Sequence, residues 1–505
     1  FNEQKQLRER FVKFNTAELQ RVAGIAIQQD WCPSIEKVAE GGFNKVFLLT
    51  AHDGNQVIAR IPTSIAGTPH YTTASEVATI NFLRNVLGLP VPKILAYSTS
   101  ADNPVGSEYI IMEYVQGESL ATRWLSLTTE EVKHIMIQVA EFEHKIFSFQ
   151  FPGFGSLYHS HDIGDCDSIP LKEQGYCIGP CDERGQLDID RGPWLKPENC
   201  VTSMARREIQ WLKKFAQPQR RRNLFVPTDY DILPEEHIDL LTRFLSVAPH
   251  LIPTEPRLVS PVLRHPDLNP GNIILSPGSS KVAGVIDWQA SVIFPFFMQA
   301  GYPDFCQHDS FKQQSLHIPS PPENMDDLSA EEKTRALVQH RMDEINLYYT
   351  AATGIHNDKH MEALRHPYLA MRRYLIHQTG YPWDADLINL RAALVGVTGH
   401  EVWNAISSNP CPVSFSREER EAADDERAAW NESEALLSTI RGDLGIDLEG
   451  GTTPENFERA SRRNLDYRLE LVRRCCEQER ELCWQNWPYK DDEDKSGYPS
   501  LDTYT

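Results

Sequence analysis

Leu263-Arg264-His265-Pro266-Asp267-Leu268-Asn269-Pro270-Gly271-Asn272, followed by Ile286-Asp287-Trp288, is the stretch on which the fold turns. An H-x-D-x-x-x-x-N loop carries a carboxylate, Asp267, and an amide, Asn272, on one short segment. The residues after it predict a strand pair, Asn272 to Leu275 and Val282 to Ile286, around the turn Pro277-Gly278. That hairpin delivers a second carboxylate, Asp287, beside the amide. Taken alone, Asp267 and Asn272 read equally well as turn residues in a Pro/Gly-rich loop, with Asp287 as a cap. The loop, a hairpin of suitable length and the Ile-Asp-Trp triplet together outweigh that reading.

These residue types suit phosphoryl transfer to a hydroxyl. One carboxylate orients the attacking hydroxyl and takes its proton, and two more oxygen ligands hold magnesium against the phosphates. Upstream, Glu40-Gly41-Gly42-Phe43-Asn44-Lys45-Val46 falls in the first strand region, where glycines let a hairpin close over phosphates. It is a weak signal, since hairpin turns use glycine anyway. No Gly-Lys dipeptide occurs in the chain, which excludes a Walker A loop. Val57-Ile58-Ala59-Arg60-Ile61 reads as a strand carrying a phosphate-binding cation, here Arg60. Glu76, on the next helix, is placed to pair with Arg60, although Thr73 and Glu76 also have the spacing of a capping box. Tyr109-Ile110-Ile111-Met112-Glu113-Tyr114-Val115-Gln116-Gly117 is an apolar strand ending in a glycine turn, suited to holding a flat base.

Around these motifs the chain alternates in character. Asn15 and Glu18 open a first helix. Val38–Thr50 and Gln56–Ile61 read as strands joined at His52-Asp53-Gly54, and Thr73–Leu87 reads as a helix. Strands are expected again at Ile94–Tyr97 and Glu108–Val115. Beyond Thr128 helical patterns dominate, with Arg206–Phe215 and Glu235–Val247 among them. Tyr158 to about Gly192 reads as irregular, and Ser315–Ser329 as a Pro/Ser-rich surface connection. The expected fold is α+β and bilobal, with a small β-rich lobe and a large, mainly helical one. The expected divisions are a helical extension over 1–34, an N-lobe over 35–115, a C-lobe over 116–325 with an insertion at about 158–262, and a helical part over 326–505.

Composition narrows the function classes. The 505 residues are 41% hydrophobic and 24% charged, as in folded soluble domains. A net charge of −21 repels nucleic acid and anionic membranes. The apolar run Val292–Met298 is too short to span a bilayer, and no secretory signal is visible. The cysteines match no common zinc spacing and are expected as free thiols.

The order of EGGFNKVF, VIARIP, SEVATINFLR, LPVPKILAYS, EYIIMEYVQGESL, HPDLNPGNIIL and VIDWQ resembles the aminoglycoside phosphotransferase/choline kinase branch of the protein-kinase-like superfamily, from about Ile35 to Ala300. EGGFNKVFLL, ARIPT and NPVGSEYIIMEYV are similar to a fungal group named altered inheritance of mitochondria proteins. The resemblance implies a kinase using ATP and Mg²⁺ on a small-molecule hydroxyl. By it, Asp267 is the catalytic base, and Asn272 and Asp287 hold the metal. Arg60, paired with Glu76, contacts the phosphates, with Gly41, Gly42, Phe43 and Asn44 over them. Glu113 and Val115 offer backbone groups to adenine, Met112 sits behind the ring, and His265 braces the loop. It also implies a mitochondrial location, with the cytoplasm as the alternative. Two positions depart from the pattern. Asn269 stands where His or Lys is common, and Gln289 stands where many antibiotic kinases have an acid. A nucleotide-binding scaffold without transfer, and transfer to a protein, are the competing readings.

Overall fold

The computed structural model describes residues 1–181, 189–221, 223, 226, 228–307, 318–320, 328–448, 450–475, 477 and 480–491. Most of Ser315–Ser329, expected as a surface connection, lies outside them. Two compact units form. One comprises Glu9–Ser203 and Ile252–Ala370 and carries every motif above; the other comprises Phe1–Arg8, Met204–Leu251 and Met371–Thr505. The insertion expected at about 158–262 is thus divided between the units, because 204–251 finds its packing partners in the C-terminal helices.

The motif-bearing unit is built on an antiparallel sheet of five strands: β1 (Ser34–Glu40), β2 (Asn44–Thr50), β3 (Gln56–Pro62), β4 (Ile94–Ser98) and β5 (Tyr109–Glu113), in the order β1-β2-β3-β5-β4. The strand region Val38–Thr50 is broken at 41–43 by the two glycines, which turn β1 into β2. Alternation along β3 explains what the sheet covers. Val57, Ala59 and Ile61 join Leu49 and Ile111 in a core with Leu19 and Ala23 of helix α1 (Thr16–Ala26). Asn15 caps α1 by accepting from Glu18 N at 3.2 Å, as the sequence suggests. Ile58 lies on the other face, with Ile110, Met112 and Val77 of helix α2 (Tyr71–Asn85). Arg60 shares that second face by the same alternation and reaches α2.

Helix α2 is held at its start by a residue from another element. His70 N donates to Glu108 Oε1 at 2.8 Å, and Thr73 Oγ1 donates to Glu108 Oε2 at 2.6 Å. The capping box read from Thr73 and Glu76 is therefore not formed, and Glu76 is free to face Arg60. The segment expected to be irregular after Tyr158 instead makes a small sheet of β7 (Ser156–His159), β8 (Ile169–Pro170) and β9 (Tyr176–Gly179). Strands this short show no alternation to read. Tyr158, Ile163 and Cys177 pack against Ala74 of α2. Tyr97 OH donates to Asp162 Oδ2 at 2.9 Å, tying the same segment to β4.

After β5 the chain crosses through Gly117 (φ +153°) into β6 (Glu118–Ser119), which pairs with β11 (Ile273–Leu275). A Cβ at Gly117 would lie 2.0 Å from Leu275 O, so only glycine passes here. β11 pairs with β12 (Val282–Val285), the hairpin expected from the sequence, and β10 (Pro261–Leu263) pairs with β13 (Ile293–Pro295). Helix α3 (Thr129–Ser148) carries a full capping box from Thr128 and Glu131. Helices α4 (Ala330–His356) and α5 (Asp358–Arg365) belong to the same unit.

Glu143 of α3 forms the polar centre of this unit. Arg264 Nε and Nη2 lie 3.0 and 2.8 Å from Glu143 Oε1, and Tyr349 OH of α4 donates to Oε2. Arg264 also donates to Gln299 O at 2.6 Å and Gly301 O at 2.7 Å. Gly301 N in turn donates to His360 Nε2 of α5 at 3.2 Å.

The second unit is helical, including Pro234–Leu251, Ile388–Val397, Arg417–Leu444 and Phe457–Arg474. Leu437, Ile440, Leu444, Trp487 and Tyr489 form one of its cores. Cys475 and Cys483 are disulfide-bonded, an exception to the expected free thiols, while Cys32, Cys166, Cys177, Cys200, Cys306 and Cys411 are free. No described helix is long and apolar enough to cross a membrane.

Glu143→Ala is expected to destabilise the protein by about 3–5 kcal/mol, because it strands the Arg264 charge inside. A urea or thermal unfolding midpoint no lower than that of the parent would contradict this.

Candidate active site

The catalytic loop is shaped by its own side chains. His265 is buried; its Nε2 lies 2.9 Å from Ile286 O, and its Nδ1 accepts from Asp267 N at 3.1 Å. The acceptor role at Nδ1 fixes the tautomer with the proton on Nε2, which donates to Ile286 O. Burial pushes the His265 pKa down, against the Ile286 carbonyl and the neighbouring carboxylates, so the ring stays neutral and braces the loop.

Asp267 itself is exposed. Asn269 Nδ2 donates to Asp267 Oδ2 at 2.7 Å. Its Oδ1 accepts from Gly271 N at 2.7 Å and Asn272 N at 3.2 Å, capping the short turn Pro270–Asn272. Asn269, noted above only as a departure, thus steers the carboxylate and closes the loop with one amide. Asn272 Nδ2 donates to Asp267 O at 2.8 Å. That contact directs the amide nitrogen to the loop and leaves Oδ1 available as a ligand.

Asp287 arrives from β12. Ile286 N donates to Asn272 O at 2.9 Å, so the hairpin brings Asp287 beside Asn272. Asp287 adopts φ +67°, a left-handed conformation that Asp tolerates better than most residues. Trp288, wholly buried, anchors it: the indole N–H donates to Val285 O at 3.0 Å, and the ring meets His265 edge-on at 4.4 Å.

Arg60 ties the two halves together. Its Nη1 donates to Glu76, and its Nη2 to Asp287 Oδ1 at 3.0 Å and Gln289 Oε1 at 3.2 Å. Asn44, at the start of β2, also donates to Gln289 Oε1, while Gln289 Nε2 donates to Ala66 O at 2.8 Å. The neutral amide thus accepts from Arg60 and from the glycine hairpin at once, a role the sequence did not reveal. Thr63 N fastens Phe43 O at 2.8 Å, and Phe43 itself is exposed.

Burial pushes Glu76 up to about 7, Arg60 opposes the shift, and the Asp287 carboxylate adds to it. Arg60, despite its burial, is held charged by Glu76 and Asp287.

The adenine-side residues sit where β5 leaves the sheet. Met112 packs with Ile58 and Val77. Glu113 N is committed to Lys93 O at 2.9 Å, and its side chain to Lys93 N at 3.0 Å and Arg84 at 3.2 Å, so it has no N–H to give a base. Val115 overlies Gly284 of β12, where an added Cβ would lie 3.0 Å from its methyls. Arg60, Glu76 and Asp287 are thus joined directly, Asp267 joins Asn272, and Asn44 joins Arg60 through Gln289.

Two outcomes are expected. The folded state holds the Glu76 proton more tightly than the unfolded chain does. Stability should therefore fall as pH rises from the ordinary carboxylate range through about 7, and Glu76→Gln should lose that slope in melting curves recorded against pH. Gln289→Ala removes the acceptor shared by Arg60 and Asn44, and should destabilise the protein by about 1–3 kcal/mol, read as a lower unfolding midpoint.

A family model described as "Phosphotransferase enzyme family" matches residues 34–298. The chain is 55% identical to a subtelomeric hrmA-associated cluster protein of Aspergillus fumigatus, across 94% of this chain and 100% of that one. It is 30% identical to altered inheritance of mitochondria protein 9, mitochondrial, of Lodderomyces elongisporus, across 57% of this chain and 51% of that one. Among solved structures, the ADP-bound aminoglycoside phosphotransferase APH(2'')-Ib is similar at 14% identity and a TM-score of 0.39, covering 75% of this chain and 97% of that one. The family match spans more than half of the chain, from β1 through the Ile-Asp-Trp triplet: the chain belongs to the phosphotransferase enzyme family, with the bilobal kinase-like fold that its motifs imply.

Proposed function

We propose that the protein moves the γ-phosphoryl group of magnesium-ATP to a hydroxyl of a small molecule. The observation that carries this reading is the joining of two groups of residues: Asp267 with Asn272 on one loop, and Arg60 with Glu76 and Asp287 beside it. The donor set fits magnesium. Asn272 has Oδ1 to spare, and Asp287, half exposed, has Oδ2 without a hydrogen bond among the described residues. Among the described residues no group of three or more His, Cys, Asp or Glu forms a metal cluster. One carboxylate and one amide, completed by phosphate and water, is the sparse set that magnesium accepts.

Magnesium bound there would neutralise charge on the phosphates as the bond to the leaving oxygen breaks. Arg60 supplies a fixed positive charge for the phosphate oxygens, and Glu76 keeps its guanidinium in place. Asp267, aimed by Asn269, accepts the acceptor hydroxyl's hydrogen bond and takes its proton as the new P–O bond forms. The backbone around Val115 and the apolar side chain of Met112 would receive the adenine. A mitochondrial location is part of the proposal, supported by the names of the altered inheritance of mitochondria relatives; recovery of the native protein from the cytosol would overturn it.

Label from γ-labelled ATP should pass into a discrete small molecule of a metabolite extract with the parent protein. Asp267→Asn should slow that transfer by about 10²- to 10⁴-fold. Label found in polypeptide instead would point to a protein acceptor. Nucleotide binding without any transfer would favour a scaffold.

A further inference from the structure

Behind the catalytic loop lies a cavity of about 160 Å³ that none of Arg60, Glu76, Asp267, Asn272 or Asp287 lines. Its walls are apolar. Helix α3 supplies Val139 and Phe142, the hairpin supplies Ile273 and Val285, and Leu89 and Leu268 close it. All six side chains are themselves buried, and the space that they line is open to solvent on one side. An apolar space of about 150 Å³ has room for a benzene-sized molecule. Native interiors rarely leave that much room, because every wall atom beside a void loses dispersion contacts.

The cavity opens to solvent along α3, where Glu141 and Lys145 are exposed. The polar groups at this opening are mostly spent. Gln138 donates to His134 O at 3.1 Å and Ser280 O at 2.9 Å, and accepts from Val282 N at 3.0 Å. Glu141 lies 3.5 Å from His356 Nδ1 of α4. The Lys145 ammonium has no ion pair among the described residues and stands at the mouth of an apolar hole. An apolar body with one negative end satisfies both features.

We infer that this cavity binds a small aryl or short-chain alkyl carboxylate, with the hydrocarbon inside and the carboxylate at Lys145. The site is separate from the nucleotide, and its existence does not depend on the reaction proposed above. Its ligand would press on Leu268 and Ile273, the chain neighbours of Asp267 and Asn272.

Benzoate is the probe, titrated into the whole protein and followed by calorimetry and by melting temperature. Saturable binding at one site and a rise in melting temperature are expected. Val139→Phe should fill the space and weaken binding at least tenfold. Should that variant fail to fold, Val282→Phe intrudes from β12 and should give the same loss. Lys145→Gln should weaken benzoate several-fold while leaving benzyl alcohol unchanged. No saturable binding of benzoate would overturn the inference. Equal binding to a folded, cavity-filled variant, or parent protein that binds benzyl alcohol as tightly as benzoate, would also overturn it. Because the readout is binding, the result stands apart from whether Asp267 catalyses transfer.

Discussion

A largely buried guanidinium needs its donors placed, and Arg264 has four of its five N–H groups placed, on α3 and on the segment 299–301. Glu143 takes the charge from α3, and the carbonyls of Gln299 and Gly301 take one further hydrogen each. Glu143 is fixed in its turn by Tyr349 of α4, whose hydroxyl burial and the adjacent carboxylate hold protonated. The residue after Arg264 is His265, so the loop leaves this anchor already oriented. A buried pair of this kind is poor evidence of net stability, because desolvation offsets much of the attraction. Its value lies in geometry. Few other arrangements of these helices would satisfy the same donors, so the loop has one place to be.

The surroundings of Arg60 obey a different rule. Arg60 meets three oxygen-bearing partners, Glu76, Asp287 and Gln289, so its single positive charge is shared before any phosphate arrives. An acid at position 289 would add a further negative charge beside Asp287. The amide avoids that repulsion and still accepts two hydrogen bonds.

Much of this was legible in the chain, for reasons that can be named. Alternation along Val57–Ile61 sorts core residues from Arg60 with no tertiary information, and the spacing of Asp267, Asn272 and Asp287 is a local property of a loop and a hairpin. What escaped reading depends on distant partners. Glu108 caps α2 from another element, and Gln289 accepts from Asn44 and Arg60 far back in the sequence. The small sheet β7–β9 has strands too short to carry a period. The regrouping of 204–251 with the C-terminal helices reflects packing between segments that no local pattern links.

Trp288 sets how often the Asp287 carboxylate is in place beside Asn272. Withdrawing Asp287 from Asn272 would drag the neighbouring indole out of a fully buried seat against His265 and Phe142. Losing the packing of a buried tryptophan costs about 3–5 kcal/mol. An equilibrium biased by that much leaves about one molecule in 10² to 10⁴ with the carboxylate withdrawn. Nearly every copy of the protein therefore holds Asp287 beside Asn272 at any instant, with little left for a conformational throttle at this position.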